Sequence, residues 1–296
     1  MENSRRTFMK TLGAVAVSVA VHGCRTPSGQ HAEAPVEELP PLPRVGLQLY
    51  TLRDAMQSDV DGTLGRIADM GYTAVETAFW PEGMTPAQAG PLLKNAGLSV
   101  FAAHVEIPVG EHKDAMLAIA DAYDCDQMVW HGWPEDERYQ TMDGIRELAD
   151  IYNEAHTFCH ANGLQFGLHN HWWEFEPIAE GVLPFYAIRS LLEPGIFFEI
   201  DTYWSKVAGL DPAEVVGDFG AHAPLLHIKD ATVLHTEGPM VAAGQGLQDF
   251  PAIAEAGRGH TEWMIVELDD CETDMFDAAA QSLAYLTENN LAQADA

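Results

Sequence analysis

Eight short apolar runs, separated by amphipathic stretches, set the strongest limit on how this chain folds. The runs predict strands near residues 45–50, 74–78, 99–104, 127–131, 165–168, 196–200, 225–228 and 264–267. Periodic apolar positions predict helices between them, among them 63–70, 86–96, 114–123 and 144–161, with a last one over 275–289. Gly71, Gly97 and Gly163 stand where three of these helices should stop, as C-terminal caps do. Eight strand–helix units in about 250 residues predict an α/β fold, a single-domain (β/α)8 TIM barrel. The rival, a doubly wound open sheet, would carry a glycine-rich phosphate fingerprint after the first strand, and there is none.

The barrel is expected to occupy residues 44–296. Ahead of it, Arg5-Arg6-Thr7-Phe8-Met9-Lys10 precedes an apolar run from Leu12 to Val21. That run is too short to span a membrane, and its basic flank predicts a signal peptide over residues 1–24. The paired arginines resemble a twin-arginine signal, which exports folded proteins. Val21-His22-Gly23-Cys24 resembles a lipoprotein box, which would make Cys24 a lipid anchor to the membrane. Residues 25–43, rich in proline, glutamate and small residues, read as a flexible tether. The expected location is therefore the periplasm, free or membrane-anchored. Beyond Cys24 only Cys125, Cys159 and Cys271 remain, without close pairs, so neither a disulfide framework nor a thiolate zinc site is indicated. The formal net charge of −30 repels phosphate backbones and argues against nucleic acid as a partner, while it suits a cation.

In a barrel the residues at the C-terminal strand ends share one site. Those ends read Tyr50, Glu76, His104, His131, the 169–174 cluster, Asp201, His227 and Glu267. Glu174, Asp201, His227 and Glu267 form the sharpest set. They are spaced by 27, 26 and 40 residues, roughly one βα unit each with a longer loop before the last. A single acid after a strand is more often a helix N-cap, and a lone histidine more often a satisfied core group. Four such groups on consecutive strands instead predict a metal site. Glu174 stands several residues past its strand, so His169 or His171 is the alternative first ligand. Carboxylates with one imidazole suit Mn²⁺ first, with Mg²⁺, Co²⁺ or Zn²⁺ as alternatives, over a structural zinc.

Several stretches in order make the domain resemble the xylose isomerase-like barrels of sugar phosphate isomerases and epimerases. They are "VGLQLYTLR", "GLHNHWWEFE", "FFEIDTYW", "LLHIKD", "GQGLQDF" and "WMIVELDD". The resemblance implies one divalent metal on Glu174, Asp201, His227 and Glu267. It also implies that Glu174 and Glu267 are the bases that remove and return a proton next to a sugar carbonyl, through an enediolate. Gln245 departs from the "GEG" of many relatives. Lys229 is expected to add positive charge beside the enediolate, or else to pair with Asp230. His104, Asn170, His171 and Trp204 are the candidates for hydroxyl recognition, and Trp172 or Trp173 for packing against a sugar face.

Three rivals to a sugar isomerase or epimerase stand beside it. A lyase on keto-sugars or 3-keto-glycosides would share the proton abstraction and then eliminate. An endonuclease of the same superfamily is disfavoured by the charge. A non-catalytic sugar-binding lipoprotein would keep the barrel and bind sugar unchanged.

Overall fold

The computed structural model describes residues 40–294; the predicted leader, Cys24 and the tether through residue 39 lie outside the described residues. Eight strands close into one parallel barrel in chain order, with the last paired back onto the first. They are β1 (Arg44–Gln48), β2 (Ala74–Thr77), β3 (Ser99–Val105), β4 (Gln127–Trp130), β5 (Gln165–His169), β6 (Phe197–Asp201), β7 (Leu225–Ile228) and β8 (Trp263–Val266). Around them run α1 (Arg53–Ser58), α2 (Val60–Asp69), α3 (Pro86–Asn95), α4 (His112–Tyr123) and α5 (Met142–Ala161). Then follow α6 (Pro184–Arg189), α7 (Thr202–Val207), α8 (Pro212–Phe219), α9 (Phe250–Ala256) and α10 (Met275–Glu288). The expected TIM barrel is what forms. No helix among the described residues is long and apolar enough to cross a membrane.

Local chemistry sets the element ends. Thr141 accepts the Gly144 N–H to start α5, and Asp274 accepts those of Phe276 and Asp277 to start α10. Gly71, Gly97 and Gly163 leave their helices at φ of +102°, +77° and +75°, where a β-carbon would be strained. The first strand stops at Gln48 rather than running on to Tyr50, because the Gln48 side chain accepts the Tyr50 N–H at 3.1 Å and turns the chain into a 3₁₀ turn, Leu49–Leu52. His131 and Glu267 likewise stand just past their strands, whereas His169 and Asp201 end theirs.

The two-residue period of a strand then carries one face of each strand into the barrel and up to its mouth. Ala74, Val129, Phe197, Leu225, Trp263 and Ile265 fill the floor in a cluster separate from the outer core. Phe101 stacks on Trp263 at 4.0 Å and 12°. Gly46 and Gly167 make room, since a β-carbon there would lie 2.4 Å from Phe101 and 2.3 Å from Phe197. A register shift in the β2–β3 pairing makes Phe101 the extra residue, so Phe101 and Ala102 both join the floor. Two residues above the floor on the same face come Glu76, His104, His131, His169, Glu199 and His227; two further up come Asp201, Lys229 and Glu267. The floor is apolar, and the two layers above it are polar.

Candidate metal centre and active site

The middle layer is a buried network of carboxylates and imidazoles. Glu199 Oε1 lies 2.7 Å from His104 Nε2, 3.0 Å from His169 Nδ1 and 3.0 Å from His227 Nε2. Glu76 Oε2 lies 2.8 Å from His227 Nε2 and accepts the Gln48 amide at 2.8 Å. Burial and then the neighbouring Glu199 push the Glu76 carboxyl up to about 7, against the pull of His104 and His227. Burial works against the imidazolium of His227, but Glu199 and Glu267 outweigh it and hold its pKa well above the usual range.

The upper layer turns toward the cavity. His227 Nδ1 lies 2.6 Å from Glu267 Oε2 and 4.0 Å from Asp201 Oδ2. One ligand atom each from Asp201, His227 and Glu267 falls within 4.8 Å of the others; His104, His169, Glu199 and His227 form a second such group. Asp201 plays two parts. Its Oδ1 accepts the N–H groups of Tyr203 and Trp204, each at 2.9 Å, and so caps α7. Its Oδ2 is buried, with the Lys229 ammonium 3.1 Å away as its ion-pair partner. Burial raises the Asp201 carboxyl to about 6, with Lys229 and His227 pulling the other way.

These three residues fit a divalent ion. Two carboxylates and an imidazole are a donor set for Mn²⁺-like cations, and Asp201 Oδ2 already faces a buried cation, the Lys229 ammonium. A metal-binding histidine generally gives its other ring N–H to a carboxylate, which fixes the ring. Glu76 and Glu199 stand in that position behind His227, leaving Nδ1 toward Asp201 and Glu267.

Lys229 closes the group. Its Nζ lies 3.1 Å from Asp201 Oδ2, 2.9 Å from Glu267 Oε2 and 3.0 Å from Asp269 Oδ2. Burial opposes its charge, but Asp201, Asp269 and Glu267 outweigh burial and hold it well above the ordinary lysine value. Glu267 answers in the same way: burial raises it, and Lys229 and then His227 bring it well below the usual carboxylate range. The alternative pairing with Asp230 is not formed. Asp230 instead accepts the N–H groups of Ala231, Gly244, Gly246 and Gln248 and holds the loop after β7.

Glu174 departs from the expected set. It lies on a 3₁₀ turn, Trp173–Phe175, off the two-residue ladder that brings β5 to the mouth. Its Oε2 accepts the His171 N–H at 2.9 Å, its Oε1 is buried without a partner, and it lines neither metal group nor cavity. Burial lifts its carboxyl to about 8. His169 is the β5 residue that reaches the network, one of the two histidines that stood as alternatives. Asn170 also turns away from the cavity: its Oδ1 accepts the Asp201 N–H at 3.0 Å and its Nδ2 donates to the His171 carbonyl at 3.2 Å, tying β5 to β6.

The cavity above the group has a volume of about 350 Å³. His104, His171, Trp172, Trp204, Lys229 and Glu267 all line it. His171 stacks on the buried Trp173 at 4.3 Å and 10°, and Lys229 Nζ sits 5.0 Å from the Trp204 ring. Burial, followed by the Lys229 charge, lowers the His171 pKa well below the ordinary range. Gln245 bonds Gln281 at the surface and lies outside the cavity lining. Sequence reasoning missed Gln48, Glu199 and Asp269. Glu199 was findable, being two residues before Asp201 on the same strand face.

Fold and site together define a (β/α)8 barrel with a buried carboxylate–imidazole centre at its mouth. The model of the xylose isomerase-like TIM barrel family matches residues 64–289, and the chain belongs to that family. Solved structures share the fold at low identity. A sugar phosphate isomerase/epimerase from Parabacteroides distasonis is 22% identical with a TM-score of 0.68, covering 89% of this chain and 99% of that one. A probable 3-DHS dehydratase from Bacillus anthracis is 12% identical with a TM-score of 0.64, covering 82% of this chain and 98% of that one. An L-ribulose 3-epimerase is 15% identical with a TM-score of 0.61, covering 83% of this chain and 93% of that one. The search of curated proteins found no match.

Proposed function

We propose that this protein is a divalent-metal-dependent sugar isomerase or epimerase that removes a proton next to a carbonyl. The observation that carries the reading is the convergence of Asp201, His227 and Glu267 at the base of a cavity, with Lys229 among them. These three residues would hold the ion, for which Mn²⁺ is the first choice. When bound, the ion supplies positive charge beside the sugar carbonyl.

The chain's own groups do the rest. Glu267 is kept ionised by Lys229 and His227 and takes the proton from carbon. The Lys229 ammonium, held by Asp201 and Asp269, offsets negative charge that develops on the enediolate oxygens. Return of the proton by Glu267 to the neighbouring carbon isomerises the sugar. Delivery of a proton from the opposite face epimerises it: in the direction in which Glu267 starts protonated, the neutral imidazole of His171 on the β5 side takes the proton from carbon and Glu267 returns its own to the other face. Glu174, with its carboxylate turned from the cavity, supports His171 instead of acting as the second base. His104 and Trp204 remain placed for hydroxyl contacts.

A proton on a carboxylate exchanges with water, whereas a hydride passed between carbons does not. Turnover in heavy water is therefore expected to put deuterium on the carbon next to the carbonyl, in product and partly in recovered substrate. Turnover with no deuterium incorporated would overturn the reading. The likeness to a dehydratase supports a second reading, elimination after the same abstraction. It would appear in the same experiment as an unsaturated product.

We further propose export through the twin-arginine route, on the strength of Arg5-Arg6 ahead of the short apolar run. Replacing both arginines with lysine should retain the precursor in the cytoplasm. Unchanged export would contradict it.

A further inference from the structure

Two large aromatic side chains among the described residues are strongly exposed, Phe79 at 53% and Trp133 at 55%. Both line the rim of the same cavity. Phe79 stands in the loop after β2 and Trp133 in the loop after β4. Leaving such rings in water forgoes the favourable burial of apolar area, so a pair converging on one cavity marks a surface that something covers.

Both rings are held from behind. Trp133 packs against Trp173 at 5.6 Å and His171 at 5.9 Å, while Phe79 packs against His131 at 5.3 Å and Tyr50 at 6.2 Å. His131 joins the two loops, since its Nδ1 accepts the Trp133 N–H at 3.1 Å. The rim is thus a backed platform that continues upward from the polar layers above the floor. A cavity of about 350 Å³ falls at the lower end of the range that encloses drug-sized ligands.

The charges around the cavity say which ligand does not belong there. Glu237, Asp269 and Asp270 line it with Glu267, and the lining cation Lys229 is already bound by three carboxylates. A phosphorylated sugar would bring a dianion into this field, where no free cationic side chain among the described residues lines the cavity. A neutral second ring meets bare aromatic faces and, at its hydroxyls, carboxylate acceptors.

We propose that the rim of Phe79 and Trp133 is an outer subsite for a second ring, so that the substrate is an uncharged glycoside of two rings and not a sugar phosphate. The inference rests on the isomerase or epimerase reading only for the role of the inner ring. Its test is equilibrium binding, which needs no turnover.

Calorimetry on the full domain, with and without Mn²⁺, would use methyl glycosides of glucose, galactose, mannose and xylose. Matched disaccharides, phenyl glycosides and 6-phosphates complete the panel. The expected result is a disaccharide or phenyl glycoside bound at least tenfold tighter than its methyl glycoside, with the 6-phosphates weakest. A preference for disaccharides identifies the second ring as sugar, and a preference for phenyl glycosides identifies it as an aromatic aglycone. Trp133→Ala should bring the two-ring to one-ring ratio to about one, and Trp133→Phe should restore most of it. An unchanged ratio in a folded Trp133→Ala protein overturns the proposal, as does a preference for 6-phosphates or no binding of any panel member. Tight binding of a reducing disaccharide, whose inner ring keeps its carbonyl, without deuterium exchange into it would leave the subsite standing and remove the enediolate reading. The methyl and phenyl glycosides, which lack that carbonyl, test binding alone.

Discussion

The β6–β8 side of the mouth and the β5 side are built from the same residue types and reach opposite electrostatic states. Across β6, β7 and β8, Lys229 sits among Asp201, Glu267 and Asp269, and Glu267 is held ionised. On β5, no cation stands beside Glu174. Burial raises its carboxyl to about 8, and burial, followed by the charge of His227 for His169 and of Lys229 for His171, depresses the two imidazoles, so the same pH leaves this wall neutral. A buried acid is thus charged or not according to the counter-charge its neighbouring strands bring. The charged side can hold a cation and take a proton; the neutral side offers shape, stacking and hydrogen bonds.

The largest effect is expected from removing the cation that creates the contrast. Lys229→Met leaves the buried Asp201 and Glu267, and the half-buried Asp269, without a lysine among them. Loss of one partner of a buried ion pair costs about 3–5 kcal/mol. Denaturant unfolding of the metal-free protein should show that loss, and added Mn²⁺ should recover part of it. A variant as stable as the parent would mean that the three carboxylates are not charged together.

On the neutral side the prediction has the opposite sign. Glu174 titrates near 8 when folded against an ordinary value of 4.5, so its stabilising contribution is complete below about 4.5 and is lost as pH rises through 8. Glu174→Gln keeps the acceptor for the His171 N–H and cannot ionise. It should be about 2–3 kcal/mol more stable than the parent at pH 8 and indistinguishable near pH 4.5, since each pK unit is worth about 1.4 kcal/mol and some of the shift is relieved by relaxation. Parallel unfolding curves of parent and variant from pH 5 to 8 would break the comparison.

The smallest effect belongs to Gln245, outside both regions. Its side chain bonds Gln281 at the surface, so Gln245→Glu should change stability by less than about 0.5 kcal/mol and leave ligand affinity unmoved. A clear change in affinity would bring that loop into the site.

The sequence made the barrel legible because parallel strands buried on both faces read as apolar runs, and because glycines mark the helix ends. It made Asp201, His227 and Glu267 legible because a two-residue period places strand-end polar groups inward. Glu174 broke the pattern for a physical reason: past the end of β5 the chain enters a 3₁₀ turn, and spacing along the sequence no longer fixes direction. Glu199 was hidden inside "FFEID", where an acid in a buried strand reads as an exception until its three imidazole partners are seen. Phe79 and Trp133 were equally silent, since nothing in a sequence distinguishes an exposed aromatic from a core one.

The central claim is that a metal ion is held by Asp201, His227 and Glu267 and not by Glu174. Elemental analysis of folded Asp201→Asn and Glu174→Gln proteins, purified side by side in Mn²⁺, tests it most directly. The account predicts that Glu174→Gln keeps about one ion per chain while Asp201→Asn loses it. Full occupancy in Asp201→Asn, or loss in Glu174→Gln, would contradict it.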